Sequence, residues 1–114
     1  MEKDTYQQII REHMKRSYLL NDEKIDAILP GFLAALNGHM AELEQKLAEG
    51  ESASLAATGH TIKGALLNLG LFELADLAYK IEKQGKRPKD DTDCPAIVAR
   101  LKQEIATITG SSSQ

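Results

Sequence analysis

The segment His60-Thr61-Ile62-Lys63-Gly64 brings an imidazole, an ammonium and bare main chain within five residues of one another. On a helix, residues three and four apart are neighbours, so Lys63 and Gly64 lie about one turn beyond His60 on the same face. A neutral imidazole nitrogen is a competent nucleophile near neutral pH. A phosphoramidate formed on it is labile enough to pass its phosphoryl group onward. The adjacent ammonium can stabilise the phosphoryl oxygens, and the glycine leaves room for an acceptor carboxylate to approach in line. Gly59 and Gly64 each cost a helix roughly 0.5–1 kcal/mol relative to alanine, which close approach by another surface would offset. This is the pattern a phosphoryl carrier needs.

Other chemistry has less support. No H-x-x-x-H or H-E-x-x-H pair exists, and the single cysteine, Cys94, excludes an internal disulfide framework and any multi-cysteine metal site. Gly59 and Gly64 have a phosphate loop's spacing, but no Lys-Ser/Thr follows the second glycine and no strand precedes the first. His13 and His39 read as half-buried or surface residues, Cys94 as a spectator thiol. No metal and no cofactor is expected.

The elements that must hold His60 are helices. Ala, Leu, Glu, Lys and Gln dominate, and strand-type alternation is missing. A first helix over about Thr5 to Ser17 places Tyr6, Ile9, Ile10, His13 and Met14 on one face, with Asp4 or Thr5 as its cap. The second runs from about Asp22, capped by Asn21, to Glu49. Its stripe is Ile25, Ile28, Leu29, Phe32, Leu33, Leu36, Met40, Leu43 and Leu47. Pro30-Gly31 predicts a kink or a break in it, and Gly50 ends it. The third, about Ser52 to Leu69, buries Leu55, Gly59, Ile62, Leu66 and Leu69, while His60 shares a rotated face with Ala56, Lys63, Gly64 and Leu67. Gly70 turns the chain into a fourth helix, about Phe72 to Gln84, which carries Leu74, Leu77, Ala78 and Ile81 and stops at Gly85. A polar loop over Gly85 to Asp93 precedes the last helix, about Cys94 to Thr109, capped by Asp93 with Pro95 in its first turn. Ile97, Val98, Leu101, Ile105 and Ile108 face inward. Short connections force antiparallel neighbours. The expected fold is therefore all-α: an antiparallel up-down-up-down four-helix bundle with an additional N-terminal helix across one end, in a single domain over 1–110 with a flexible tail over 111–114.

The 114 residues carry 14 Lys+Arg against 17 Asp+Glu, a formal charge of −3, with 42% hydrophobic and 4% aromatic residues. The apolar fraction is that of a globular chain. A mildly acidic balance without basic blocks argues against a nucleic-acid surface. No window approaches the ~18 apolar residues of a membrane span, and Met1-Glu2-Lys3-Asp4 is no secretory signal. A cytoplasmic monomer is expected.

The run Gly59-His-Thr-Ile-Lys-Gly-Ala-Leu-Leu-Asn-Leu-Gly70 resembles the signature of histidine-containing phosphotransfer (HPt) domains: His, Lys at +3, Gly at +4 and Gly near +10. The likeness continues through Leu71-Phe-Glu-Leu-Ala-Asp-Leu-Ala-Tyr-Lys-Ile-Glu82, and takes in Phe32-Leu33 and the helix ending Ala48-Glu49-Gly50. In helix order it covers about residues 25 to 108. The resemblance implies that His60 accepts a phosphoryl group from a kinase or phospho-aspartate and hands it to a receiver aspartate in a two-component phosphorelay. Lys63 and Gly64 match the family's supporting positions, and Gly70 its hairpin glycine. Gly59 stands where the family often has alanine and Ala65 where it often has serine; both remain small. The implied partners are a response-regulator receiver domain, a sensor histidine kinase, or both, with the receiver supplying acceptor aspartate and metal. The chain would be a carrier and not an enzyme.

Two expectations go beyond the motif. In a hairpin turning at Gly70–Leu71, His60 lies ten residues before the bend and Glu82 twelve after it, so equal rise brings them to similar height. Glu82 could then accept a hydrogen bond from His60 Nδ1 and leave Nε2 as nucleophile. Docking is expected on Ala56, Lys63, Gly64 and Leu67 with the neighbouring edge of the second helix at Phe32 and Leu36, an interface of at most about 1,200 Å². The rival readings are a docking adaptor of the same fold without phosphotransfer, or a structural bundle subunit.

Overall fold

The computed structural model describes residues 2–86 and 93–110. Among the described residues five helices follow one another: α1 (Lys3–Tyr18), α2 (Asp22–Glu49), α3 (Ser52–Asn68), α4 (Phe72–Lys86) and α5 (Cys94–Thr109). Strands are absent among the described residues. Capping chemistry sets several of the ends. Asn21 accepts a hydrogen bond from Lys24 N at 2.8 Å, and Asp93 one from Ala96 N at 3.1 Å. At the other ends, the Gly50 N–H donates to the carbonyls of Lys46 and Leu47, and Gly110 adopts the left-handed conformation after α5. The N-terminal end departs from expectation. Helix α1 begins at Lys3 after Glu2, which makes no side-chain cap bond, so Asp4 sits inside the first turn, where its charge favours the positive helix end, and caps nothing.

Two corrections concern proline and glycine. Pro30 does not break α2, which runs unbroken through it; Pro30 and Asp26, whose carbonyl loses its helical donor, are both exposed, so water can serve that carbonyl. Gly85 does not stop α4, which continues to Lys86. It is buried instead, and a Cβ there would stand 2.6 Å from Ser52 O and 2.7 Å from Ala56 Cβ, so this glycine lets the end of α4 press onto the start of α3. The segment 87–92, where a loop was expected, and the tail 111–114 lie outside the described residues.

The core is aliphatic. Ile25, Leu29, Leu36, Met40 and Leu43 of α2 meet Leu55, Ile62 and Leu66 of α3, Leu74, Ala78 and Ile81 of α4, and Val98, Leu101, Ile105 and Ile108 of α5. Two residues of the expected α2 stripe, Ile28 and Phe32, stay exposed. Burial of this kind, at roughly 1.5–3 kcal/mol per large side chain, is what holds the helices in register. The α3–α4 hairpin turns at Gly70, whose φ of +78° an L side chain tolerates poorly, and whose missing Cβ makes room for the His13 ring.

Helix α1 covers the end of the bundle where α2 and α4 begin and α3 and α5 finish. Tyr6, Ile10 and Met14 are buried there. The Tyr6 hydroxyl donates to Glu104 of α5, Arg11 pairs with Asp22 and Asp26 of α2, and Tyr18 donates to Asn68 Oδ1 of α3 at 3.3 Å. His13 meets Tyr18 and Phe72 edge-on.

Candidate functional site

Helix α3 delivers His60 from its middle. Leu55, Gly59, Ile62 and Leu66 are buried, which fixes the rotation of the helix and turns His60 outward with 65% of its side chain exposed. The depth of the α3–α4 contact sets what lies beneath the ring. A Cβ on Gly59 would approach Glu82 N at 3.1 Å and Ile81 Cγ2 at 3.2 Å, so the glycine lets the two backbones close in and brings Glu82 under His60.

Glu82 is a buried carboxylate, 4% exposed, among three donors. His60 Nδ1 stands 3.1 Å from its Oε2. Lys86 Nζ reaches the same Oε2 at 2.9 Å from the next turn of α4. Lys63 Nζ pairs with Oε1 at 2.8 Å, and that oxygen, sealed from solvent, has no further partner among the described residues. The Lys63 ammonium, above all, holds the carboxyl down at about 2; burial pushes the other way, and Lys86 and His60 add to the lowering. Glu82 is therefore ionised at neutral pH and can only accept. The proton of a neutral His60 ring accordingly belongs on Nδ1, leaving the Nε2 lone pair toward solvent.

The surroundings of the ring are mixed. Beyond it, a Cβ on Gly64 would meet nothing within 4 Å, so the main chain there is open. Tyr79 of α4 carries the Lys63 ammonium 4.9 Å and the Lys83 ammonium 4.6 Å from its ring centroid. On the inner side, the Thr58 hydroxyl lies 3.2 Å from Glu42 Oε1 and 3.0 Å from Ser54 O, tying α3 to α2 half a turn before His60.

Of the residues expected from sequence, His60, Lys63, Gly64 and Glu82 come together here, and Gly70 forms the turn. Phe32 and Leu67 are exposed at about 40%. Leu36 and Ala56 are corrections. Leu36 is fully buried, because the 40° of rotation that separates it from Phe32 carries it into the seam of α2 with its neighbours. Ala56 lies under the end of α4 at Gly85. Neither can touch a partner. The expected site left out Lys86, Tyr79 and Lys83, although the i, i+4 spacings of Glu82 with Lys86 and of Tyr79 with Lys83 stand in the sequence.

No cluster of three or more His, Cys, Asp or Glu able to hold a metal occurs among the described residues, and no described helix is long and apolar enough to cross a membrane. Burial, with Asp93 adding to it, raises the Cys94 thiol, the opposite of the lowering that a helix N-terminus would give.

A family model described as Hpt domain matches residues 27–110. Neither the curated proteins nor the solved structures yield a match.

Proposed function

The chain belongs to the Hpt domain family, and from that premise we propose that it carries a phosphoryl group on His60 Nε2 between a kinase or receiver phospho-aspartate and a receiver aspartate. The family implies phosphotransfer within two-component phosphorelays; the assignment of His60 and of direct receiver contact is this reading's own. The observation that carries it is the His60 Nδ1–Glu82 Oε2 contact of 3.1 Å beneath an exposed ring.

The step conserves protons. The Nε2 lone pair attacks phosphorus of the acyl phosphate; the N–P bond forms as the P–O bond breaks, and the electron pair leaves on the donor's carboxylate. Nδ1 keeps its hydrogen throughout, and the positive charge that develops on the ring is met by the ionised Glu82. Lys63 lies one turn beyond His60, within a side-chain swing of the phosphoryl oxygens. Gly64 leaves the approach to Nε2 free of side-chain bulk. Transfer onward is the same step reversed onto a receiver aspartate, with the metal ion supplied by the receiver. Exposed Phe32 and Leu67 serve as apolar contacts for docking. With no nucleotide-binding loop in the sequence, the protein acts as a carrier that draws its phosphoryl group from partners.

Incubation with a phosphorylated receiver should give an acid-labile, alkali-stable label on this chain, and His60→Gln should abolish it. Label that persists in His60→Gln overturns the site. Binding without label in the wild-type chain would leave a docking adaptor.

A further inference from the structure

Glu82 Oε2 serves two donors at once, His60 Nδ1 from α3 and Lys86 Nζ from the next turn of α4. The other carboxylate oxygen faces Lys63. One buried negative charge thus stands against two ammonium groups, and the site has a surplus of one positive charge before the ring titrates. Two further charges lie nearby without touching Glu82: the Lys83 ammonium over Tyr79 adds to the positive side, and the Glu42 carboxylate of α2, which accepts from Thr58, stands on the inner side of α3. We propose that Lys86 is a positioning residue for phosphoryl transfer at His60: it shares Glu82 Oε2 with the ring, opposes protonation of the imidazole through its own charge, and leaves a positive surplus for the incoming dianionic group. The proposal rests on the phosphocarrier reading and adds to it a residue outside the His-x-x-Lys-Gly run.

A carboxylate facing a histidine alone stabilises the imidazolium and raises its pKa, because the charged ring gains a partner. A proton then sits on Nε2 and blocks the nucleophile. Lys63 by itself would only bring the local balance to zero. Lys86, sharing the oxygen that the ring uses, turns the balance positive and makes ring protonation less favourable. The same surplus suits the product, in which Nε2 carries a phosphoryl dianion and Nδ1 keeps its hydrogen on Glu82. Lys86 is 65% exposed on a flexible stem, so it can leave Oε2 for the phosphoryl oxygens without disturbing the core.

The test is a titration of the His60 ring resonances by NMR in the full chain, assigned by their loss in His60→Gln. Lys86→Met should raise the His60 pKa by about half a unit, and Lys86→Arg should leave it near the wild-type value. The acidic limb of the transfer-rate profile should move up in pH with the ring in Lys86→Met. An unchanged or lowered pKa in Lys86→Met overturns the proposal, as does an equal shift in Lys86→Arg, since charge would then not be the cause. Circular dichroism on each variant excludes unfolding as the source of a shift. A wild-type chain that accepts no phosphoryl group from any receiver sinks the carrier reading, whereas the ring titration still reads the role of Lys86, so the two failures are distinguishable.

Discussion

The carboxylate of Glu82 is the hinge of the site's electrostatics, and its titration has a consequence for the folded state. Its pKa is depressed from 4.5 to about 2 in the folded chain. A depressed acid contributes stability that is fully present above its unfolded value and is withdrawn as pH falls through its folded one. The window is therefore about pH 4.5 down to about 2. Glu82→Gln cannot titrate and leaves Lys63 and Lys86 without their anion, so the variant should melt lower than wild type at pH 7. The difference in melting temperature should shrink across that window. A gap that stays constant down to pH 2 would mean that the three donors contribute nothing through charge. At this scale the sequence told much: His60, Lys63 and Gly64 are legible because helix spacing alone puts them on one face, and Glu82 because hairpin arithmetic sets its height. The burial of Leu36 and Ala56 was not legible, since a helical wheel locates a face without saying how far a second neighbour reaches around it.

Among the elements, α3 and α4 act as a pair, and two of their glycines play opposite parts. Gly64 faces open space, so Gly64→Ala should stabilise the fold by about 0.5–1 kcal/mol through helix propensity while slowing transfer to a receiver. Gly85 presses against Ser52 and Ala56, so Gly85→Ala should cost about 1–3 kcal/mol through overpacking, and with it the alignment of Lys86. Denaturant unfolding of both variants, set beside their transfer rates, checks the pair; two effects of the same sign on stability would refute it. The two glycines look alike in sequence. Gly85 carries the composition of a helix stop before a polar run, and the information that makes it a packing residue resides at Ser52 and Ala56, some thirty positions away. Asn21, Gly50 and Asp93 were legible for the converse reason: a cap acts on backbone groups within three or four residues of itself.

On the scale of the whole molecule, the family match begins at residue 27 and leaves α1 outside it. This helix is nevertheless part of the core, through Tyr6, Ile10 and Met14. It lies at the α3–α4 turn, and His60 is eight residues, or about 12 Å of helix, from the end of α3 at Asn68. Ile10→Ala should consequently destabilise the protein by about 2–5 kcal/mol and leave phosphoryl transfer at His60 unchanged in chain that remains folded. Loss of transfer in proportion greater than loss of fold would show that α1 reaches the site. That a first helix should cover one end was readable from its amphipathic face, but its partners Glu104, Asn68 and Asp26 were not, because nothing local fixes where a detached helix lands. The sole sulfhydryl, at Cys94, is shut inside the last helix's first turn and shifted further toward its unreactive protonated form. The native chain is thus a blank background for maleimide chemistry: one cysteine engineered onto the outer surface would take the only fluorophore, and encounters with a receiver could be followed by a single dye without first removing the natural thiol.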